Sequence, residues 1–437
     1  MAFRQRFVTS YLDPLAVESE FGQYPTSFPG LCSLEVLPLA THGYSGVHTP
    51  AHGPRKMYLL KITSAAGPAS KPAVLLMRSP HAREWINSMA VVETALQFLE
   101  NYRADDPDPL VQQIVATLDS AELYIVPEGN PDGALYSFFD PGQRMWRKNL
   151  RPPPSGGTCA GVDCNRNFAR YFGEPGSSSV LCSDVYHGPQ AFSEPESANI
   201  ANLVNARRNI IFAIDSHSYG QAIYRPNPNG GTYVSSLPVS LADHAIYLRL
   251  EQLMNDRIQG VNGTTYSTGS TSNHAGTSDE YLFFDQNVFC FDLECGQEFQ
   301  PPVEDAVTAA LEVAAATRAL AWCAAGQTDV DVQALLDRRA ALDARERITS
   351  RPIRTSWTPI EAPPERWRRY LCTCRPPAGR NVMGYATDLQ ERAFDIATDD
   401  LSGPQLDVVV SAEELVALLR EGAFVEVRKD IYSQLSS

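Results

Sequence analysis

The segment AVLLMRSPHAREW, residues 73–85, determines how the rest of the chain is interpreted. It begins as an apolar run of the length of a buried β-strand and ends in polar residues, and a helical pattern then continues to about residue 102. Similar runs end in polar residues at ELYIVPEGNPDG (122–133), NIIFAIDSHS (209–218) and NVFCFDLE (287–294). Because strands that alternate with helices are typical of α/β folds, we predict a mixed, largely parallel twisted sheet flanked by helices. Ligands bind such sheets beyond the carboxyl ends of the strands, so we expect the functional site there.

Composition limits the classes of partner. The chain has 437 residues, of which 43% are hydrophobic and 20% charged, as in ordinary globular proteins. Its net charge of −15 repels phosphate backbones, so we expect no nucleic-acid partner. No apolar stretch approaches the ~18 residues that a membrane helix needs, so we expect no membrane partner. The N-terminal residues show no apolar signal core, which favours a cytoplasmic location, with a processed secreted or periplasmic protein as the alternative.

The composition changes near residue 327. Residues 1–326 have the length of one large catalytic domain, and residues 327–365 hold a charged helical stretch followed by the Pro-rich segment SRPIRTSWTPIEAPPERW. Such a segment is typical of a linker between domains. The strand-like and helical patterns of residues 366–437 predict a small C-terminal α+β domain.

Three residues with metal-binding side chains lie at the predicted strand ends. His81 and Glu84 are three residues apart where a strand gives way to a helix, and His217 ends another buried strand. Two histidines and one carboxylate are the ligands of a catalytic zinc ion that keeps its fourth position for water. A histidine at a strand end is more often a hydrogen-bonded structural residue, so a site without metal is the alternative.

Two arginine clusters, RMWRK (144–148) and NRN (165–167), follow in the same region of the sequence. Guanidinium groups bind carboxylates through paired hydrogen bonds and stabilise oxyanions. The clusters therefore predict a substrate with a carboxylate and a reacting carbonyl, with surface ion pairing as the alternative.

These motifs occur in one order: HAREW after residue 80, NPDG with RMWRK, CAGVDCNRNF, SYG after His217, and a strand ending at Glu294. Together they resemble the zinc metallocarboxypeptidases of the carboxypeptidase A/B type, over about residues 11–323. The resemblance implies a zinc exopeptidase with one Zn²⁺ ion. By this resemblance, His81, Glu84 and His217 would bind zinc, and Asp163 would orient one of the zinc histidines. Arg147 would polarise the scissile carbonyl, Asn165 and Arg166 would bind the substrate's terminal carboxylate, and Arg83 and Tyr219 would line substrate subsites. The resemblance also implies a disulfide between Cys159 and Cys182, which the sequence alone leaves open.

The strand FCFDLECG offers two acids, Asp292 and Glu294, on the same face. Aligning this strand and the downstream GQEFQPP with the family's pattern makes Glu294 the general base, which takes a proton from the attacking water and returns it to the leaving amine. Asp292 then lies at a position that lines the side-chain pocket. The alternative is an alignment shifted by two residues, with Asp292 as the base.

The segment AGTSDEYLFFDQ resembles the family's pocket segment, in which the residue two before an aromatic sets the preference. Here that residue is Asp279. An aspartate in an enclosed pocket would select peptide or protein C-termini that end in Lys or Arg. A one-residue shift of the alignment would instead make Asp279 a structural acid.

The family's lid tyrosine has no counterpart, since the matching position is about Ser272. Tyr266 and His274 are the candidates to replace it.

The missing tyrosine also supports an inactive peptide-binding module as a rival function. A second rival is a zinc amidohydrolase that deacylates a small amino-acid derivative. The last part of residues 366–437 faintly resembles the family's pro-segments, which implies an inhibitory or interaction role for that domain. A plain stabilising role is the alternative.

Overall fold

The computed structural model describes residues 8–44, 52–154, 159–226, 239–270, 274–345, 369–391, 395–396 and 404–430. The helices in these residues are α1 (Pro14–Ser27), α2 (Ile86–Asn101), α3 (Pro109–Ser120), α4 (Pro131–Phe139), α5 (Pro195–Ala206), α6 (Leu241–Asn262), α7 (Ser278–Phe284), α8 (Val303–Ala324), α9 (Val332–Arg345), α10 (Val382–Glu391) and α11 (Ala412–Arg420). The strands are β1 (Cys32–Val36), β2 (Tyr58–Ile62), β3 (Ala73–Arg78), β4 (Glu122–Val126), β5 (Ile210–His217), β6 (Ala222–Arg225), β7 (Ser267–Ser270), β8 (Phe289–Glu294), β9 (Arg369–Arg375), β10 (Asp395–Ile396), β11 (Leu406–Ser411) and β12 (Phe424–Asp430).

The first sheet is mixed and has a parallel centre. Its strand order is β1-β2-β4-β3-β5-β8-β6-β7, in which β4, β3, β5 and β8 run parallel and β1, β2 and β6 pair antiparallel with their inner neighbours. Every residue of β3, β4 and β5 is buried, because helices cover both faces of the sheet. Such burial explains the continuous apolar runs in the sequence, and the predicted fold class is confirmed.

Helices form a layer on each side of this sheet. On one side α2 and α6 both pack against α8, and their apolar residues join the larger core cluster. On the other side α5 and α7 contribute the smaller cluster that includes Leu203 and Leu282. The side chain of Asn130 caps α4 by accepting a hydrogen bond from the Gly133 amide at 2.9 Å, which fixes the NPDG turn after β4.

Helix α8 is long and apolar. An 18-residue window within its 22 residues has a mean hydropathy of 1.3, enough to span a membrane by composition alone. The expectation that no stretch reaches this length was therefore wrong, because α8 draws much of its hydropathy from alanine. Since 72% of the window is buried against the sheet and neighbouring helices, α8 has the environment of a core helix.

The C-terminal residues form a separate small sheet. The elements follow the order β9, α10, β10, β11, α11 and β12, and the antiparallel strands lie in the order β10-β11-β9-β12. Cys372 and Cys374 on β9 pack with Tyr385 and Leu418 from the two helices. This is the predicted small α+β unit.

Helix α9 occupies the first part of the predicted linker. It packs back on the first sheet, where Leu335 joins the larger core and Arg339 is fully buried. Residues 332–345 therefore pack with the body that carries the larger sheet. The Pro-rich part of the predicted linker lies outside the described residues, and the domain limits stay a prediction.

Candidate active site

Three side chains converge beyond the carboxyl ends of β3 and β5. His81 and Glu84 come from the turn between β3 and α2, and His217 is the last residue of β5. The Nδ1 atom of His81 lies 2.8 Å from Glu84 Oε1 and 3.1 Å from the Nδ1 atom of His217. The Nδ1 atom of His217 lies 3.2 Å from Glu84 Oε2. Because ligand atoms about 3.3 Å apart surround a tetrahedral ion with bonds of about 2.0–2.2 Å, these residues fit zinc.

Each histidine turns its other nitrogen towards a carboxylate. The Nε2 atom of His81 lies 3.1 Å from Asp163 Oδ1, and that of His217 lies 3.3 Å from Asp215 Oδ2 and 3.4 Å from Asp292 Oδ1. A carboxylate at Nε2 favours the tautomer that carries its proton there, so the lone pair of Nδ1 faces the common centre. Asp215 and Asp292 were not expected in this role.

Arg147 and Asp163 form a buried ion pair beside the two histidines. The Nε and Nη2 atoms of Arg147 each lie 2.9 Å from Asp163 Oδ2. Although burial favours the neutral acid, the charges of Arg147 and His81 hold the pKa of Asp163 well below its usual range. Asp163 is therefore a fixed negative charge that positions both a candidate zinc ligand and the arginine.

Glu294 ends β8 directly beside His217 of β5 in the sheet register. Its Oε2 atom makes no hydrogen bond with any described residue. Burial raises the pKa of Glu294 to about 7, and the nearby charge of Glu84 acts in the same direction. A carboxyl group with a pKa in this range is suited to accept and return a proton near neutral pH.

Asn165 and Arg166, the predicted carboxylate-binding pair, lie in the short 3₁₀-helix Cys164–Arg166 and are buried. The Oδ1 atom of Asn165 accepts a hydrogen bond from the Ser278 amide at 2.9 Å, and Arg166 Nε donates to Gly176 O at 2.9 Å. Gly176 belongs to the loop closed by the disulfide between Cys159 and Cys182, whose Cα atoms are 5.0 Å apart. The disulfide thus closes the loop that supports Arg166.

An aromatic residue, Phe299, lies against two of the predicted substrate-binding residues. The ring of Phe299 packs edge-on against Tyr219, with centroids 4.9 Å apart, and under the guanidinium of Arg83 at 4.4 Å. Tyr219 keeps 50% of its surface exposed, so it remains accessible to a ligand.

A group of buried acids lies behind His217. Asp279, in the first turn of α7, is fully buried, and burial raises its pKa. Asp215 and Asp292 lie close enough to Asp279 and to each other to act electrostatically on the group. Burial first, and then the neighbouring charges of Asp279 and Asp215, raise the pKa of Asp292 well above its usual range.

Of the candidates for the lid, Tyr266 does not have the expected environment. Its side chain is 2% exposed, and its hydroxyl donates to Glu312 Oε2 at 2.6 Å in the interior. His274 lies within electrostatic reach of Arg166 and Arg147, and desolvation together with these two positive charges lowers its pKa to about 3. The position near Ser272 lies outside the described residues.

The model of the zinc carboxypeptidase family matches residues 49–316. The chain belongs to this zinc carboxypeptidase family. A carboxypeptidase B from Astacus astacus is 32% identical over 281 residues, which cover 62% of this chain and 82% of that protein. A metallocarboxypeptidase A from Trichophyton rubrum is 34% identical over 226 residues, 51% of this chain and 50% of that protein. The chain thus spans about half the length of the first curated relatives it matches.

Solved structures of carboxypeptidases share the fold of this family member. Carboxypeptidase A from Helicoverpa armigera has a TM-score of 0.59 at 25% identity, covering 73% of this chain and 75% of that one. Thrombin-activatable fibrinolysis inhibitor has a TM-score of 0.62 at 23% identity, covering 73% and 76%. This second likeness concerns the fold alone. The family implies a zinc cofactor, and His81, Glu84 and His217 are a candidate metal-binding group.

Proposed function

We propose that the chain is a zinc-dependent metallocarboxypeptidase that hydrolyses the C-terminal peptide bond of peptides or proteins and prefers C-terminal Lys or Arg. The observation that carries the proposal is the convergence of His81 Nδ1, His217 Nδ1 and the Glu84 carboxylate, with edges of 2.8–3.2 Å. Zn²⁺ held by these atoms would supply Lewis-acid chemistry, which lowers the pKa of water and polarises a carbonyl.

The other steps of the proposed reaction are carried out by residues of the chain. Glu294 takes a proton from the attacking water and returns it to the leaving amine. Arg147, held in place by Asp163, donates hydrogen bonds to the oxyanion that develops on the scissile carbonyl. Asn165 and Arg166 bind the terminal carboxylate, so that the last peptide bond lies at the metal-binding centre.

The buried acids support the preference for basic residues. Asp279 and Asp292 are both buried, and burial raises the pKa of each because an ionised carboxylate is poorly solvated there. A lysine or arginine side chain of the substrate would stabilise the ionised form, whereas an apolar side chain would leave it uncompensated. The sequence alignment places both acids at the pocket, with Asp279 at the position that sets the preference and Asp292 at a position that lines it.

The Cys159–Cys182 disulfide is relevant to the cellular location of the protein. Disulfides persist in oxidising compartments, so the Cys159–Cys182 bridge favours the secreted or periplasmic alternative over the cytoplasmic location.

The test combines metal analysis with hydrolysis of matched peptides that end in Arg, Leu or Glu, with and without a chelator. We expect one zinc ion per chain, release of the C-terminal residue, chelator sensitivity and the highest kcat/KM for Arg. A zinc-loaded protein that binds these peptides without cleaving them would instead support the peptide-binding module. Cleavage of N-acyl amino acids alone would support the deacylase.

A further inference from the structure

A cavity lies among the helices on one face of the large sheet, and none of its lining residues belongs to the candidate active site. It has a volume of about 60 Å³ and is bordered by α2, α3, α6 and α8. The lining residues that bear on its chemistry are apolar or carry hydrogen-bond donors: Phe98, Gln113, Ile114, Arg257, Arg318 and Trp322.

The charge of this cavity is entirely positive. Arg257 and Arg318 line it together, and no acidic residue does. Arg318 Nη1 donates to Gln97 Oε1, and Gln97 Nε2 donates to Glu93 Oε1 at 2.7 Å, so an amide stands between this guanidinium and the carboxylate. Burial raises the pKa of Glu93, which weakens the negative charge available to Arg318.

Arg257 makes no hydrogen bond and no ion pair within the part of the chain that the structure describes, and the same is true of the Gln113 side-chain amide. Burial first, and then the like charge of Arg257, lower the pKa of Arg318 to about 10. A guanidinium group can only donate hydrogen bonds. Among the described residues that line the cavity, none is an acid that could accept hydrogen bonds from both arginines.

The rest of the lining is apolar. Phe98 is fully buried, Ile114 is 3% exposed, and the indole of Trp322 borders the same space. A ligand that fits must present a negative group to the arginines and apolar surface to these side chains. A free amino acid fits poorly, because its ammonium group lies next to its carboxylate and is repelled by the same arginines.

From these features we propose that the cavity is a binding site for a small organic carboxylate, separate from the active site. Arg257 and Arg318 hold the carboxylate group, Gln113 donates a further hydrogen bond, and the apolar body of the ligand packs against Phe98, Ile114 and Trp322.

The experiment is titration calorimetry of the full chain with benzoate. Benzamide has the same ring without the charge, and inorganic phosphate has charge without the ring. We expect saturable binding of benzoate and at least about tenfold weaker binding of both other probes, since charge-assisted hydrogen bonds and ring burial both contribute. Binding of phosphate or benzamide as tight as that of benzoate would overturn the proposal.

Two variants separate this cavity from the carboxylate-binding residues of the active site. Arg257→Gln should weaken benzoate binding about tenfold or more while leaving peptide hydrolysis unchanged. Arg249→Gln is the matched control, because Arg249 lies on the same helix α6 but pairs with Asp329 at 2.8 Å outside the cavity. Unchanged benzoate affinity in Arg257→Gln, with hydrolysis retained, would place the binding elsewhere and overturn the proposal.

Discussion

The imidazole of His217 lies between the candidate metal-binding centre and a pair of buried acids: its Nδ1 atom is 3.1 Å from His81 Nδ1, and its Nε2 atom is 3.3 Å from Asp215 Oδ2. His81 repeats this arrangement with Asp163. For both rings, a carboxylate at Nε2 favours the tautomer that turns the lone pair of Nδ1 towards the candidate metal-binding centre. His217 Nδ1 also lies 2.9 Å from Ser79 Oγ, and its Nε2 atom lies 3.2 Å from Asn165 Nδ2. The orientation of the ligands depends on acids that do not themselves reach the centre.

Asp163→Asn should weaken zinc binding about 10- to 100-fold, because the amide removes the negative charge at His81 Nε2 and also loosens Arg147. Zinc affinity is measured by competition with a chromogenic chelator. Asp184→Asn serves as control, since this exposed acid pairs with Arg83 at 3.8 Å. Equal zinc affinity in Asp163→Asn and the native chain would show that Asp163 does not orient the ligand.

Glu294→Gln should lower kcat by about 10²–10⁴-fold with unchanged zinc content, because the neutral amide cannot take a proton from water. Asp292→Asn is the matched comparison, since both acids lie on the same face of β8. We expect it to retain most of the turnover of peptides that end in Leu, because Asp215 still faces His217 Nε2 at 3.3 Å. If Asp292→Asn abolishes turnover of all peptides and Glu294→Gln does not, the alignment of this strand is shifted by two residues.

The strand ends and the candidate zinc ligands could be predicted because both follow from local pattern and one topological rule. His81 and His217 end buried apolar runs, and parallel strands bring their carboxyl ends to one edge of a sheet. Asp215 could not be predicted as a partner of His217, because it is only two residues before it in a strand that reads as core. Its carboxylate reaches the outer nitrogen of the ring only in the folded sheet.

Contacts between distant segments explain why the environments of Phe299 and helix α9 could not be predicted from the sequence. Phe299 contacts Arg83 across more than two hundred residues, so no local pattern marks this contact. Helix α9 looks like a solvated helix in sequence because of its charges, yet Arg339 is fully buried. Its burial depends on backbone carbonyls at the ends of other elements, which a sequence pattern does not show.

Glu196→Gln should change how stability depends on pH. Asn149 Nδ2 donates to Glu194 at 2.8 Å and to Glu196 at 3.1 Å, so the two acids face each other. Burial opposes ionisation of both acids. The hydrogen bond from His42 and the charge of Arg151 nevertheless lower the pKa of Glu194 to about 2. Burial, reinforced by the charge of Glu194, raises the pKa of Glu196 to about 7.

Between the usual glutamate pKa and about 7, the folded chain therefore holds a proton on Glu196 that the unfolded chain has lost. The free energy of unfolding falls with rising pH across this window and stays low above it. Glu196→Gln removes this fall, so the variant should be more stable than the native chain at pH ~8, by at most about 3 kcal/mol, and nearly equal at pH ~4. Urea unfolding at several pH values measures the difference. The exposed Glu298→Gln should show no such pH-dependent gain, and an equal gain there would contradict the assignment to Glu196.

Arg339→Met tests whether α9 belongs to the catalytic body. Arg339 Nε donates to Arg208 O at 3.1 Å, Nη2 donates to Val204 O at 3.0 Å, and Nη1 donates to Gln286 O. These carbonyls lie at the end of α5, just before β5 and just after α7, so one guanidinium ties three parts of the fold together. Methionine keeps most of the volume but leaves the carbonyls without a donor, which should cost about 2–4 kcal/mol in the free energy of unfolding.

Arg338→Met is the matched control, because Arg338 is partly exposed and pairs with Asp243 nearer the surface. The free energy of unfolding should fall less in Arg338→Met than in Arg339→Met, since exposed ion pairs contribute about 1 kcal/mol or less. Chains that end after residue 331 and after residue 345 extend the test. The shorter chain lacks α9 and should lose stability as Arg339→Met does, whereas the longer one should unfold at the same urea concentration as the body of the full chain. Equal stability of the two truncated chains would mean that α9 contributes nothing to the fold it packs against.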